Sequence, residues 1–128
     1  EPSIVTMANV QHLATRLDGR LSSPAASVLE LVTALHPTPA VGGAPRGVAL
    51  QLIAELEQLD RGLYAGPVGW VDAAGNGTWA VGIRSAQLDG TTARLFAGVG
   101  VVADSDPASE LAETRAKMQA VLGALVRP

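Results

Sequence analysis

The run Gly66-Pro67-Val68-Gly69-Trp70-Val71-Asp72, the segment Ala73-Ala74-Gly75-Asn76-Gly77, and the run from Thr78 to Leu88 together decide the fold. Two stretches containing Val and Trp flank a segment rich in residues that tolerate positive φ, which is a hairpin pattern. Asp89-Gly90 makes the next turn, and Thr92 to Val102 reads as a third strand. An antiparallel three-strand meander is the expectation.

Working outward, a helix follows the meander. Asp106 suits an N-cap and Pro107 the first turn, and the helix should run to about Val126 with Leu111, Met118, Leu122 and Leu125 on its buried face. Upstream, Arg46 to Leu59 carries the stripe Val48, Leu52, Leu56 and Leu59, with Gly62 as its stop. Ser23-Pro24 opens an earlier helix bearing Val28, Leu29, Val32 and Leu35. Between these helices, Pro37, Pro39, Gly42, Gly43, Pro45 and Gly47 predict a rigid loop. Ile4 to Leu17 is strand-like and ends at the turn signal Asp18-Gly19. The order of elements implies an α+β fold, a mainly antiparallel sheet with helices packed on one face.

Composition narrows the function. The 128 residues suffice for one domain, and 48% are hydrophobic. A net charge of −3 and only two Trp, one Tyr and one Phe disfavour nucleic-acid binding. No apolar run approaches the roughly 20 residues of a membrane span. Glu1-Pro2-Ser3 begins no signal-peptide pattern, and the absence of cysteine excludes disulfides and thiolate metal sites, so a cytoplasmic location is expected. The chain opens on what reads as the middle of a strand, as if cut from a larger sheet.

Several residues could carry chemistry, and each has an ordinary alternative. At about 100° per residue, Glu110, Glu113 and Lys117 share one face of the last helix. They could hold Mg²⁺ beside an anion, or simply favour the helix dipole and form an i,i+4 pair. Arg84, in an otherwise apolar strand, is either a solvated side chain or a bidentate carboxylate clamp. Tyr64 is either a half-buried core residue or a hydroxyl donor. Gly98 and Gly100, flanking Val99 in the third strand, mark a bulge or a close approach of another group to the backbone. His12 and His36 have no Ser or Cys partner for nucleophilic catalysis and are read as structural.

Taken in order, the strings Val10-Gln11-His12-Leu13, Leu35-His36-Pro37-Thr38-Pro39-Ala40-Val41-Gly42-Gly43, Asp60 to Trp70, Ile83-Arg84-Ser85-Ala86, Phe96-Ala97-Gly98-Val99-Gly100 and Glu110 to Lys117 resemble the chorismate-utilising enzymes. That family includes isochorismate, salicylate, anthranilate and aminodeoxychorismate synthases. The resemblance covers essentially the whole chain and implies part of that family's α/β sandwich. It implies Mg²⁺ at Glu110 and Glu113. It places Tyr64, Arg84, Lys117 and the backbone around Gly98, Val99 and Gly100 on the carboxylates of chorismate, and His12 near the ring C4 hydroxyl. Ala40 and Val41 would line the wall that selects the product. Ala40, where the salicylate and anthranilate branches usually carry Thr, favours the isochorismate branch.

On the isochorismate branch the resemblance implies a reaction that adds water at ring C2 and expels the C4 hydroxyl. Its Lys base, Glu acid and a further acidic Mg²⁺ ligand lie well before the strand bearing His12. Only 11 residues precede His12 here, so the resemblance implies the C-terminal portion of a chorismate-binding catalytic domain, inactive alone. Its expected partners are chorismate and the N-terminal portion of the same enzyme, with self-association through exposed strand edges. A salicylate- or anthranilate-type synthase, or a non-catalytic assembly fragment, are the competing readings.

Overall fold

The computed structural model describes residues 1–7 and 10–126. Among the described residues, three antiparallel hairpins and four helices form an α+β mixture as expected. The hairpins pair β1 (Ser3–Met7) with β2 (Val10–Ala14), β3 (Pro67–Val71) with β4 (Gly77–Val81), and β5 (Ser85–Asp89) with β6 (Thr92–Phe96). The helices are α1 (Val28–Leu35), the single turn α2 (Pro39–Gly42), α3 (Arg46–Glu57) and α4 (Pro107–Val126).

The first hairpin corrects the reading of Ile4 to Leu17 as one strand. Ser3 pairs with Ala14 and Met7 with Val10, so the chain reverses well before Asp18-Gly19. α1 begins later than Ser23-Pro24 because Ser27 builds a capping box. The Glu30 carboxylate accepts from the Ser27 N–H at 2.7 Å, and the Glu30 N–H donates to Ser27 Oγ at 3.3 Å. Those bonds also hold the Glu30 carboxyl below its ordinary pKa. The Val28 N–H then donates to the Gly75 carbonyl at 2.9 Å, seating α1 on the β3–β4 hairpin. The loop expected at residues 36–47 contains α2, which the Pro39 ring preorganises at its first position.

The meander does not form. Asp72 Oδ1 accepts from the Ala74 and Asn76 N–H groups, both at 2.9 Å, and closes the β3–β4 turn as the sequence predicts. Past Val81, however, Gly82 bonds back to residues 65 and 66 through Ala65 N–H to Gly82 O (2.7 Å) and Gly82 N–H to Gly66 O (2.8 Å). Arg84 then takes a φ of 50°, a left-handed conformation unusual for a long side chain. That kink ends one hairpin and releases β5 to pair only with β6. The third strand stops at Phe96 rather than Val102, so Gly98, Val99 and Gly100 lie in irregular backbone.

Helix α4 matches its predicted bounds. Asp106 caps it by accepting from the Ser109 N–H at 2.9 Å, which depresses the Asp106 pKa. Its apolar residues are not covered as expected: Leu111 is 49% exposed, and no residue of α1, α3 or α4 is buried. The core is small, with Ala65 and Phe96 its buried hydrophobic members among the described residues. The accessible surface is 10142 Å², whereas a compact monomer of 13.0 kDa exposes about 6,300 Å². The difference reflects apolar faces with nothing packed on them. Among the described residues, no helix is long and apolar enough to cross a membrane.

Gly69 faces Trp79 across the β3–β4 ladder, and a Cβ there would lie 2.2 Å from the Thr78 carbonyl oxygen and 2.7 Å from the indole. The backbone carbonyl cannot yield cheaply. Gly69→Ala is therefore expected to destabilise the protein by about 1–3 kcal/mol, read as a lowered urea midpoint.

Candidate functional site

The site is built around Tyr64, on the turn between α3 and β3. Its ring stacks on Phe96, the last residue of β6, with centroids 5.2 Å apart and planes 14° from parallel. Beneath it, Arg61 lies with its guanidinium carbon 5.7 Å from the ring centroid. Arg61 Nε donates to Glu57 Oε2 at 2.8 Å, Nη2 donates to Glu57 Oε1, and Nη1 donates to the Val41 carbonyl at 3.1 Å. One fork thus ties the end of α3, the single turn α2 and the tyrosine together. Burial pushes the Tyr64 pKa up, while the Arg61 charge opposes that rise. The phenol therefore stays protonated at neutral pH and can donate a hydrogen bond.

The Tyr64 hydroxyl reaches the irregular segment after β6. A Cβ at Gly98 would sit 3.0 Å from the Tyr64 oxygen, so glycine leaves the space the phenol uses. From α4, Lys117 Nζ donates to the Gly98 carbonyl at 3.2 Å and pairs with Glu113 Oε1 at 2.7 Å. The Lys117 side chain is 16% exposed, whereas that of Glu113 is 57% exposed. The structure brings Tyr64, Gly98 and Lys117 together, and Glu113 makes the ordinary i,i+4 pair with Lys117 that its spacing also allows. β6 ends opposite the first residue of β5, Ser85, just after the Arg84 kink.

The remaining candidates lie around this cluster or apart from it. Glu110, one helical turn before Glu113 on α4, is half-buried. Arg84 is half-buried at the kink between β4 and β5. Val99 is half-buried, and Gly100 is exposed. Ala40 is exposed on α2, beside the Val41 whose carbonyl Arg61 holds. His12 is in β2, and its side chain lies outside the described residues. His36, Val41, Arg61 and Tyr64 share the wall of an open cavity of about 230 Å³. Among the described residues, no three His, Asp or Glu side chains converge in a group able to hold a metal ion.

Sequence reasoning missed Arg61 as a site residue. Its signal was present in the i,i+4 spacing of Glu57 and Arg61, which favours an ion pair at a helix end.

At one corner of the fold, then, a protonated tyrosine, a half-buried lysine and a glycine backbone meet. The chain belongs to the chorismate binding enzyme family, whose sequence profile matches residues 1–126. It is 48% identical over 124 residues to isochorismate synthase MenF of Bacillus subtilis, covering 97% of this chain and 26% of that protein. It is 50% identical over 123 residues to the vibriobactin-specific isochorismate synthase of Vibrio cholerae, covering 96% of this chain and 31% of the relative. A solved structure from Bacillus anthracis, described as a 2,3-dihydroxybenzoate-specific isochorismate synthase, superposes with a TM-score of 0.94 at 48% identity. That match covers 98% of this chain and 33% of the other. The chain therefore spans roughly a quarter to a third of the length of these relatives.

The Arg61 hydrogen bonds hold the Glu57 carboxyl below its ordinary value of 4.5, with burial opposing them. A depressed folded pKa contributes stability above that ordinary value, and the contribution disappears as pH falls through the folded pKa. Thermal melts from pH 7 to pH 3 are expected to show a flatter acid limb for Glu57→Gln than for the unsubstituted protein. An unchanged limb would mean the pair does not contribute.

Proposed function

We propose that this chain is the chorismate-binding C-terminal portion of an isochorismate synthase. The carrying observation is the corner where Lys117 joins the Gly98 carbonyl and Glu113 beside the Tyr64 hydroxyl. Chorismate is a small dianion, and this corner offers an ammonium and a phenol donor with a carboxylate next to them. In this reading Tyr64 and Lys117 bind one carboxylate together with the N–H groups around Gly98, Val99 and Gly100. Arg84 clamps a carboxylate in bidentate fashion. His12 stands near the C4 hydroxyl, and Ala40 with Val41 forms the product-selecting wall.

The donor set on α4 is compatible with Mg²⁺. Glu110 and Glu113 supply two hard oxygen ligands on one helix face, and Mg²⁺ commonly takes one or two carboxylates while sharing its shell with water and substrate. When bound, the ion would neutralise and polarise the ring carboxylate. Glu113 would exchange part of its pairing with Lys117 for the metal, which frees the ammonium toward substrate.

The proposed reaction adds water at C2 with loss of the C4 hydroxyl, and it needs a base and an acid. Both belong, in this reading, to the N-terminal portion of the enzyme. The uncovered surface described above supports such a partner, and strand edges left open favour self-association when it is absent. A cytoplasmic enzyme of siderophore or menaquinone synthesis is the setting that fits relatives bearing the names above.

The test is complementation. The 128-residue chain alone is expected to give no Mg²⁺-dependent conversion of chorismate to isochorismate, and addition of the N-terminal portion is expected to restore it. Turnover by the chain alone would overturn the placement of acid and base, and no turnover by the combined protein would overturn the synthase reading. In the complete protein, Ala40→Thr is expected to shift product toward pyruvate elimination, followed as salicylate by chromatography. Unaltered products would reject the assigned role of Ala40.

A further inference from the structure

We infer that Arg61 is a positioning residue for substrate binding, acting through the Tyr64 ring. The inference rests on the proposed role of Tyr64 as a carboxylate donor. Three of the five guanidinium N–H donors are committed, two to Glu57 and one to the Val41 carbonyl. The bidentate grip fixes the plane of the guanidinium, and that plane lies under the tyrosine ring. Phe96 stacks on the same ring. Tyr64 thus contacts both a cation and an aromatic ring, and its hydroxyl lies beside the Gly98 backbone.

A lysine at position 61 keeps the charge but cannot hold Glu57, Val41 and the ring plane at once. In the complete enzyme with Mg²⁺, Arg61→Lys is expected to raise KM for chorismate about 10-fold while kcat stays within about 2-fold. Tyr64→Phe is expected to raise KM as well. Added to Tyr64→Phe, Arg61→Lys should raise KM by less than about 2-fold further, because the hydroxyl that Arg61 positions is already gone. A purely structural role for Arg61 predicts full, additive effects and would overturn the inference, as would an unchanged KM in Arg61→Lys alone. An unchanged KM in Tyr64→Phe would overturn the carboxylate-donor reading itself and the inference with it. Should Arg61→Lys fail to fold, Glu57→Gln unclamps the guanidinium while retaining it. It must then raise KM in the Tyr64 background and lose that effect in Tyr64→Phe, and additivity there is equally fatal.

Discussion

The stack of Tyr64 on Phe96 is the constraint from which the rest of the structure is organised. Phe96 ends the last hairpin, and Tyr64 follows the helical segment of the first half of the chain. Their contact is where these two parts meet. The two buried hydrophobic residues among those described, Ala65 and Phe96, both belong to this junction. Stacked aromatic pairs contribute about 0.5–1.5 kcal/mol beyond area burial. In a chain with so little buried elsewhere, that contribution locates the core. It also makes core and candidate site the same place, because the edge of the stack bearing the Tyr64 hydroxyl faces Gly98.

Charge is distributed around the stack in a graded way. Arg61 is satisfied by a bidentate carboxylate and a carbonyl, so its charge is already balanced. Lys117 is held by one carbonyl and one largely exposed carboxylate. The salt bridge from Lys117 to Glu113 is worth little as a stabilising contact, since exposed i,i+4 pairs contribute about 0.3–0.5 kcal/mol. A cheap pair is easily exchanged for a ligand, whereas the Arg61 fork is not.

Local rules were legible in the sequence, and long-range packing was not. α4 could be read from Asp106, Pro107 and its helical spacing because capping involves only neighbouring residues. The Asp72–Asn76 turn was equally local. The meander failed at Gly82, whose partners lie 16 and 17 residues earlier at Gly66 and Ala65, and no period in the strand announces that return. The stripes of α1, α3 and α4 predicted which faces seek cover, yet not whether cover is present. At the candidate site Tyr64, Gly98 and Lys117 lie together, while the Glu113–Lys117 contact is the i,i+4 pair that helical spacing alone offered. Arg61 was overlooked because an i,i+4 ion pair is ordinary on any helix until its third arm and the ring above it are seen.

The unpaired surface follows from the same hairpin topology. A two-stranded ribbon cannot bury both faces by itself. All five residues of β3 are exposed, including Trp70 at 59%. The surface beyond that of a compact monomer, about 3,800 Å², falls in the size class of obligate interfaces rather than of transient contacts. On the proposed reading, the three two-stranded sheets among the described residues would pair with strands of the N-terminal portion. Those strands come with the base and the acid, so closing the sheets and completing the chemistry are one event.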